Sequence, residues 1–218
     1  MDIKRISLIV ILPFIVFLVA IELSAFNSNF YHREFLTHNV YEDVRNADEL
    51  HLKVMDFIEG KSSSLPDDFN EREKQHLRDV RSLAANAKHI LLFLVVLSVF
   101  LLVLILKSEE NKKSAIGKIM FYCGLFTILT AIILVFLLIL SFGPAFDSFH
   151  RLFFRQGTYM FDPSTELIVN LYPEQLFMDL GILIMKWVLS ISILITSAGL
   201  FLMKMKTKRI NIQLKHNN

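Results

Sequence analysis

Four long apolar segments divide this chain, and they constrain its fold more than any other feature. Each approaches or exceeds the roughly 20 residues that an α-helix needs to cross a bilayer. Hydrophobic residues make up 54% of the chain and the mean hydropathy is +0.49, which is unusual for a water-soluble domain of this length. We therefore predict an all-α integral membrane protein with four transmembrane helices.

The apolar segments alternate with polar ones along the whole chain. The predicted parts are 1–26 (N-terminus and first span), 27–88 (first large loop), 89–107 (second span), 108–118 (basic link), 119–142 (third span), 143–180 (second large loop), 181–203 (fourth span) and 204–218 (tail). The basic start and apolar run of the first segment also fit a signal peptide, but the run is long and no clear A-x-A cleavage site follows it. We expect this segment to remain as a span.

The distribution of lysine and arginine predicts the orientation of the spans. These residues cluster before the first span, in the link 108–118 and in the tail 204–218, whereas the loop 143–180 carries only Arg151 and Arg155. Short basic flanks stay in the cytoplasm. We therefore expect an N-in/C-in topology with a two-part extracytoplasmic helical cap and any chemistry at the outer leaflet. The basic residues form no patch interleaved with aromatics, so nucleic-acid binding is not expected.

Two capping boxes predict helices in the first large loop. The stretch 46–49 (NADE) precedes apolar residues at helical spacing and Gly60, which is typical of a helix end. The stretch 70–73 (NERE) is followed by no helix breaker before the second span ends. We predict a short amphipathic helix that stops at Gly60, and one helix or two nearly continuous helices from Glu71 to Leu106.

A histidine and an aspartate share one face of this second helix. His76 and Asp79 are one turn apart, and an aspartate in that position can fix the tautomer of an imidazole and raise its basicity. Histidines that act as general bases use this arrangement. The alternative is an exposed helix start, because the stretch 71–81 is dense in charges of both signs, and the residues alone favour that alternative.

The second large loop holds another histidine among aromatic residues. Gly143-Pro144 is expected to end the third helix, and His150 follows just beyond the span. A titratable group held at the headgroup boundary by aromatic neighbours suggests a site, and an interfacial aromatic belt with an incidental histidine is an equal alternative. Further along, Asp162-Pro163 and Pro173-Glu174 each predict a helix start.

Cofactor and metal motifs are missing from the sequence. The single cysteine, Cys123, lies in an apolar segment, and the remaining histidines show none of the usual zinc-ligand spacings, so a metal site would have to be assembled from distant loops. No G-x-S-x-G motif and no phosphate-binding glycine loop is present. We expect no cofactor and assign no metal ligands from the sequence, which leaves open whether an ion is bound.

Two sequence elements resemble a known family. The first is E-x-x-H-x-x-D-V at 73–80; the second is FHRLFF at 149–154, followed by FDP at 161–163, ELI at 166–168 and Pro173. Together, in a four-span chain of this size, they resemble the bacterial lipoprotein intramolecular transacylases. The resemblance covers most of the chain, and its second element is the more specific. Tyr159 stands near the place where the family often has a tryptophan.

The resemblance implies an enzyme that moves the sn-2 acyl chain of a diacylglyceryl-cysteine to the α-amino group of that cysteine, giving an N-acyl S-monoacylglyceryl lipoprotein. The implied substrate is a membrane-anchored lipoprotein, the location is the bacterial cytoplasmic membrane, and we expect a monomer. On this hypothesis His76 is the general base, oriented by Asp79, and His150 polarises the carbonyl or returns a proton, or the two roles are exchanged. Arg151 or Arg155 would steady the ester oxygen.

Two other classes of protein fit the sequence without the resemblance. Four spans with two large outer loops also suit a non-catalytic receptor or accessory subunit that binds an extracytoplasmic ligand or partner. The histidines would alternatively serve as haem or metal ligands in a small membrane redox subunit. A substitution of either histidine separates an enzyme from a receptor, because only an enzyme loses its activity by orders of magnitude.

Overall fold

The computed structural model describes residues 2–154 and 159–216, with side chains described as far as Lys204. All elements over these ranges are helices. They are α1 (Ile3–Ala25), α2 (Ser28–Thr37), α3 (Val40–Asp43), α4 (Ala47–Glu59), α5 (Glu71–Lys107), α6 (Lys112–Phe153), α7 (Leu167–Leu171) and α8 (Glu174–His216). Four of them, α1, α5, α6 and α8, are long and apolar enough to cross a membrane. The prediction of an all-helical chain with four membrane-crossing helices is confirmed.

The chain folds into two compact units, and the first is made of apolar helical segments. It consists of Met1–Ala20, Leu91–Val135 and Ile184–Asn218, so that α1, α5, α6 and α8 all contribute to it. Its interior contains small and aliphatic side chains, while large apolar side chains such as Phe100 and Leu194 are exposed. An apolar exterior of this kind suits a helix bundle whose solvent is lipid.

Glycines bring two helices of the first unit into backbone contact. A Cβ atom placed on Gly199 of α8 would lie 2.6 Å from the backbone nitrogen of Phe121 and 2.8 Å from the carbonyl oxygen of Gly117, both on α6. Only a residue without a side chain allows this approach. Small residues at the contact are typical of membrane helices, because close packing has to replace the hydrophobic drive that exists in water.

The second unit has a core like that of a soluble domain. It consists of Ile21–Ile90 and Phe136–Leu183, and therefore contains α2, α3, α4, α7, the C-terminal parts of α1 and α6, and the N-terminal parts of α5 and α8. Large apolar side chains from several of these elements are almost completely buried in it: Phe35, Val54, Phe69, Leu171 and Leu176. Burial of these five side chains contributes about 8–15 kcal/mol, since each contributes about 1.5–3 kcal/mol.

Local signals predicted part of the second unit. Asn70 and Glu73 form the expected capping box: the Asn70 backbone N–H donates to Glu73 Oε2 at 2.6 Å, and the Glu73 N–H donates to Asn70 Oδ1 at 2.9 Å. Helix α4 ends at Gly60, whose φ of 83° is the left-handed conformation that favours glycine. Its start differs, because the Asn46 side chain makes no capping hydrogen bond.

Helices α2 and α3 were not predicted, although α2 has a local start signal. The Asn27 side chain accepts a hydrogen bond from the backbone N–H of Phe30 at 3.2 Å. The segment that follows mixes aromatic and charged residues without a clear apolar stripe, so its helical period is weak. It is helical because Phe30, Tyr31 and Phe35 are buried in the core of the second unit.

The third predicted span does not end where the sequence suggested. Gly143-Pro144 was expected to stop the helix, but α6 is kinked at Ser141, with φ −145° and ψ 36°, and then continues to Phe153. The Pro144 ring clashes with the carbonyl of the residue four positions earlier, which is Leu140, so the bend falls next to it. Helical turns continue after the kink, and His150 lies in the last of them.

The start of α7 also differs from the prediction. Asp162-Pro163 begins a turn in which the Asp162 carbonyl accepts from the Thr165 and Glu166 N–H groups, at 3.1 and 2.8 Å, and the helix itself begins only at Leu167. Helix α8 begins at Glu174 directly after Pro173, as the Pro-Glu pair predicted.

Candidate active site

The two histidines singled out in the sequence lie together in the second unit. His76 is on α5 and His150 is in the last turn of α6. Their ring centroids are 6.3 Å apart and the ring planes differ by only 16°. Two imidazoles from elements far apart in sequence therefore face the same small space.

Aromatic side chains surround this histidine pair. Phe154 and Phe161 pack on His76, with ring centroids at 4.5 and 5.3 Å. Phe146 packs on His150 at 4.2 Å. The rings around His76 keep most water away from this imidazole, so hydrogen bonds between it and a reacting group are stronger than in water.

His76 is a buried, neutral imidazole. Its side chain lies on the charged N-terminal part of α5, before the apolar segment 90–106, and is 8% exposed. Burial, with a smaller contribution from the neighbouring His150, lowers the pKa of His76 to about 4. Its Nδ1 is buried and has no hydrogen-bond partner among the described residues. Such an atom is available to a polar group that the protein itself does not supply.

The orientation of His150 is fixed by the backbone of its own helix. Its Nδ1 lies 2.8 Å from the carbonyl oxygen of Phe146, one turn earlier. A carbonyl oxygen only accepts hydrogen bonds, so Nδ1 carries the hydrogen and, in the neutral ring, Nε2 bears the free lone pair. The carbonyl thus holds the tautomer that a general base needs, which is the role usually given to a carboxylate.

The other predicted site residues do not join the histidine pair. Asp79 accepts a hydrogen bond from Gln75 Nε2 at 3.1 Å, and over the ranges 2–154 and 159–216 no hydrogen bond joins it to His76. Arg151 is largely exposed and pairs with Asp147 one turn earlier. Arg155 lies outside the described residues. Helical spacing predicted that Asp79 lies one turn from His76 on α5, but the Asp79 carboxylate accepts its hydrogen bond from Gln75 on the same helix.

Sequence reasoning missed a pair of buried carboxylates beside the site. Glu73 is 1% exposed, and besides its capping role its Oε1 accepts the backbone N–H of Ile168 at 2.8 Å. Glu166, 6% exposed, accepts hydrogen bonds from Arg72 at 3.1 and 3.3 Å and from the Asp162 N–H at 2.7 Å. Two residues in the first turn of α5, Arg72 and Glu73, therefore connect this helix to the segment 160–168.

This connection determines where Phe161 lies. The Arg72 guanidinium is 5.1 Å from the centre of the Phe161 ring and also donates to the carbonyl of Met160. Phe161 in turn packs edge-on against His76. The capping box identified Glu73 as a helix cap, but no local pattern indicated that its second oxygen binds a distant segment.

The fold and this site define a class: membrane-integral helical proteins with a paired-histidine centre enclosed by aromatic side chains. The model of the family described as lipoprotein intramolecular transacylase Lit matches residues 6–177, which is most of the chain. The chain therefore belongs to the Lit family. The prediction of a membrane acyltransferase is confirmed, and the receptor alternative does not fit this membership.

Solved structures agree with this fold. The structure of the membrane integral lipoprotein intramolecular transacylase Lit from Bacillus cereus has a TM-score of 0.81 at 21% identity, and the match covers 94% of this chain and 96% of that chain. A variant of the same protein with one histidine replaced by arginine has a TM-score of 0.77 at 20% identity, covering 95% and 93%. At this identity the likeness concerns the fold. No curated protein matches the chain.

Proposed function

We propose that His76 and His150 carry out the transacylation at the outer leaflet, and that His150 is the general base. The supporting observation is the hydrogen bond from His150 Nδ1 to the Phe146 carbonyl, which leaves Nε2 free to accept a proton. The pKa of His76, lowered to about 4 by burial, makes that imidazole a weak base near neutral pH. This assignment is the second of the two alternatives that the sequence-based hypothesis left open.

His76 acts as a hydrogen-bond donor to the ester carbonyl. A neutral imidazole in an apolar setting polarises a carbonyl through its N–H and stabilises the oxyanion that forms on attack. The buried Nδ1 without a partner provides a place for such a bond, because the substrate would satisfy it. The lowered pKa of His76 favours this donor role, because the ring stays neutral when the oxyanion develops.

The reaction balances without an acyl-enzyme. The α-amino nitrogen of the lipidated cysteine attacks the sn-2 ester carbonyl, and its proton passes to His150 Nε2. The carbon–oxygen bond of the ester then breaks, and the imidazolium returns the proton to the glyceryl oxygen. Donor and acceptor belong to one molecule, so holding the substrate in a cyclic near-attack geometry supplies much of the acceleration.

Charge distribution supports an outward-facing second unit. Lysines and arginines cluster in the N-terminus, in the stretch 107–118 between the second and third apolar segments, and in the tail, and such flanks stay in the cytoplasm. In the first unit Arg5 pairs with Glu109 of the link, so these two basic flanks lie at the same end of their helices. The second unit, with His76 and His150, would then meet lipoproteins in the outer leaflet. Both histidines come from one chain, and we infer that a monomer suffices.

The test follows the acyl chains of a reporter lipoprotein incubated with the protein in membranes. Tandem mass spectrometry of the N-terminal lipopeptide should show an unchanged total mass, with one chain moved to the amine. His150→Gln should lower the rate about 10²–10⁴-fold, as expected for loss of a general base. His76→Ala should lower it roughly 10²–10³-fold, as for loss of an oxyanion donor.

The two roles are separated by one further variant. A glutamine amide still donates a hydrogen bond, so His76→Gln should be clearly more active than His76→Ala, whereas no such rescue is expected at His150. His32→Gln, which removes an exposed histidine on α2, is the matched control and should match the wild type. Equal inactivity of His76→Gln and His76→Ala, with substantial activity in His150→Gln, would contradict the assignment.

A further inference from the structure

Three potential metal ligands from distant parts of the chain meet in the second unit. Glu34 lies in the last turn of α2, His38 directly follows α2, and Asp179 lies near the start of α8. His38 Nε2 is 2.9 Å from Asp179 Oδ2 and 3.5 Å from Glu34 Oε2. One ligand atom from each residue lies within 4.8 Å of the other two, and the three side chains are 15–31% exposed.

These separations match a coordination shell. Nitrogen and oxygen ligands lie about 2.0–2.2 Å from a zinc ion, which puts neighbouring ligand atoms roughly 3–3.5 Å apart. The two measured distances from His38 Nε2 fall in or near that interval. A set of one imidazole and two carboxylates leaves a fourth position open for water and suits a divalent transition-metal ion.

The charges of this cluster are poorly balanced without a cation. His38 Nε2 lies between the Asp179 and Glu34 carboxylates, at 2.9 Å from the first and 3.5 Å from the second. This nitrogen carries at most one N–H, which cannot bind both carboxylates equally well, whereas a divalent cation placed between the three ligand atoms would interact with all of them.

We propose that Glu34, His38 and Asp179 bind one divalent transition-metal ion, with Zn²⁺ as the probe. The ion would join the end of α2 to the start of α8 within the second unit, and its ligands include neither His76 nor His150. Its role is therefore structural, and metal binding adds to folding stability because the unfolded chain does not hold the three ligands together. This proposal is independent of the assignment of base and donor.

The test uses full-length protein in detergent, with any purification tag removed and bound metal stripped by a chelator. Zn²⁺ affinity is measured by competition with a chromophoric chelator for the wild type, His38→Gln and Asp179→Asn. We expect one equivalent of Zn²⁺ on the wild type, a Kd at least tenfold weaker in both variants, and a Zn²⁺-dependent rise in melting temperature only where binding is intact.

His32→Gln is the matched control, because His32 also lies on α2 and contacts a carboxylate, Asp48, at 3.1 Å. Among the described residues it belongs to no three-ligand group, so its loss should leave the affinity unchanged. The wild type itself gives a second readout, since Co²⁺ should produce visible bands of a nitrogen–oxygen site without thiolate charge transfer. Failure to bind one equivalent of Zn²⁺ or to show these Co²⁺ bands, or equal weakening in His32→Gln, would overturn the proposal.

Discussion

A buried histidine outside the proposed histidine pair predicts how the stability of the fold changes in acid. His51 on α4 is 2% exposed, packs against Tyr31 with ring centroids 4.1 Å apart, and has its Nδ1 3.1 Å from the Tyr172 hydroxyl oxygen. Burial lowers the pKa of His51 to about 4, which outweighs the opposing charge of Asp48. The imidazole is therefore neutral in the folded protein at physiological pH.

The sign and size of the effect follow from proton linkage. An unfolded histidine titrates near pH 6.5, so between pH 6.5 and 4 the unfolded chain binds more protons than the folded one at this residue. Stability therefore falls as the pH drops below about 6.5, and the loss is complete only below the folded pKa. For a shift of this size, linkage gives a loss of about 2 kcal/mol between pH 7.5 and 5.

The variant that tests this is His51→Phe, which keeps an aromatic ring in the core and removes the titration. The free energy of unfolding is measured in detergent at pH 7.5 and pH 5 from urea titrations followed by circular dichroism. The variant leaves the Tyr172 hydroxyl without its partner at both pH values, so the difference between the two pH values is the diagnostic quantity. We expect this difference to be smaller than in the wild type by about 2 kcal/mol.

The wild-type protein, measured at the same two pH values, provides the comparison. If His51→Phe retains the full wild-type difference between pH 7.5 and 5, burial does not hold this imidazole neutral and the reasoning is wrong. His76, with its pKa also lowered to about 4, adds a loss of the same sign in both proteins and cancels in the comparison.

Three further substitutions test how the site and the bundle are held. Glu73→Ala leaves the buried Ile168 N–H without an acceptor, at about 1–3 kcal/mol, and removes the cap on the Asn70 N–H, so it should lower both the melting temperature and the lipopeptide transfer rate. Pro144→Ala restores a helical N–H near the kink and should displace His150, so we expect at least a tenfold loss of transfer rate without loss of helical signal by circular dichroism. Gly199→Leu should lower the melting temperature by separating α6 from α8; Gly143→Ala, whose Cβ would meet its nearest neighbour at 3.7 Å, should leave it nearly unchanged. An unaltered rate in the first two variants, or equal melting temperatures in the last pair, would contradict these contacts.

Structural features that depend only on residues close together in the sequence were predictable. The four apolar segments specify membrane-crossing helices because the bilayer requires about 20 apolar residues and internal backbone hydrogen bonding, and both demands act along a single segment. The capping box of α5 and the Gly60 end of α4 are likewise set within a few residues. The sequence motifs around His76 and His150 also indicated the family, which the match over residues 6–177 confirmed.

Tertiary structure decided what these residues do. The 6.3 Å pairing of His76 with His150 depends on how α5 and the kinked end of α6 pack, and no local pattern encodes that distance. Asp79 shows the limit of local reasoning: helical spacing put it on the face of His76, yet its hydrogen bond goes to Gln75. Burial lowers the pKa of His76, and burial depends on Phe154 and other residues far along the chain. Periodicity reports which face of a helix is apolar, whereas distances, burial and the charge state of a group depend on which distant elements pack against that face.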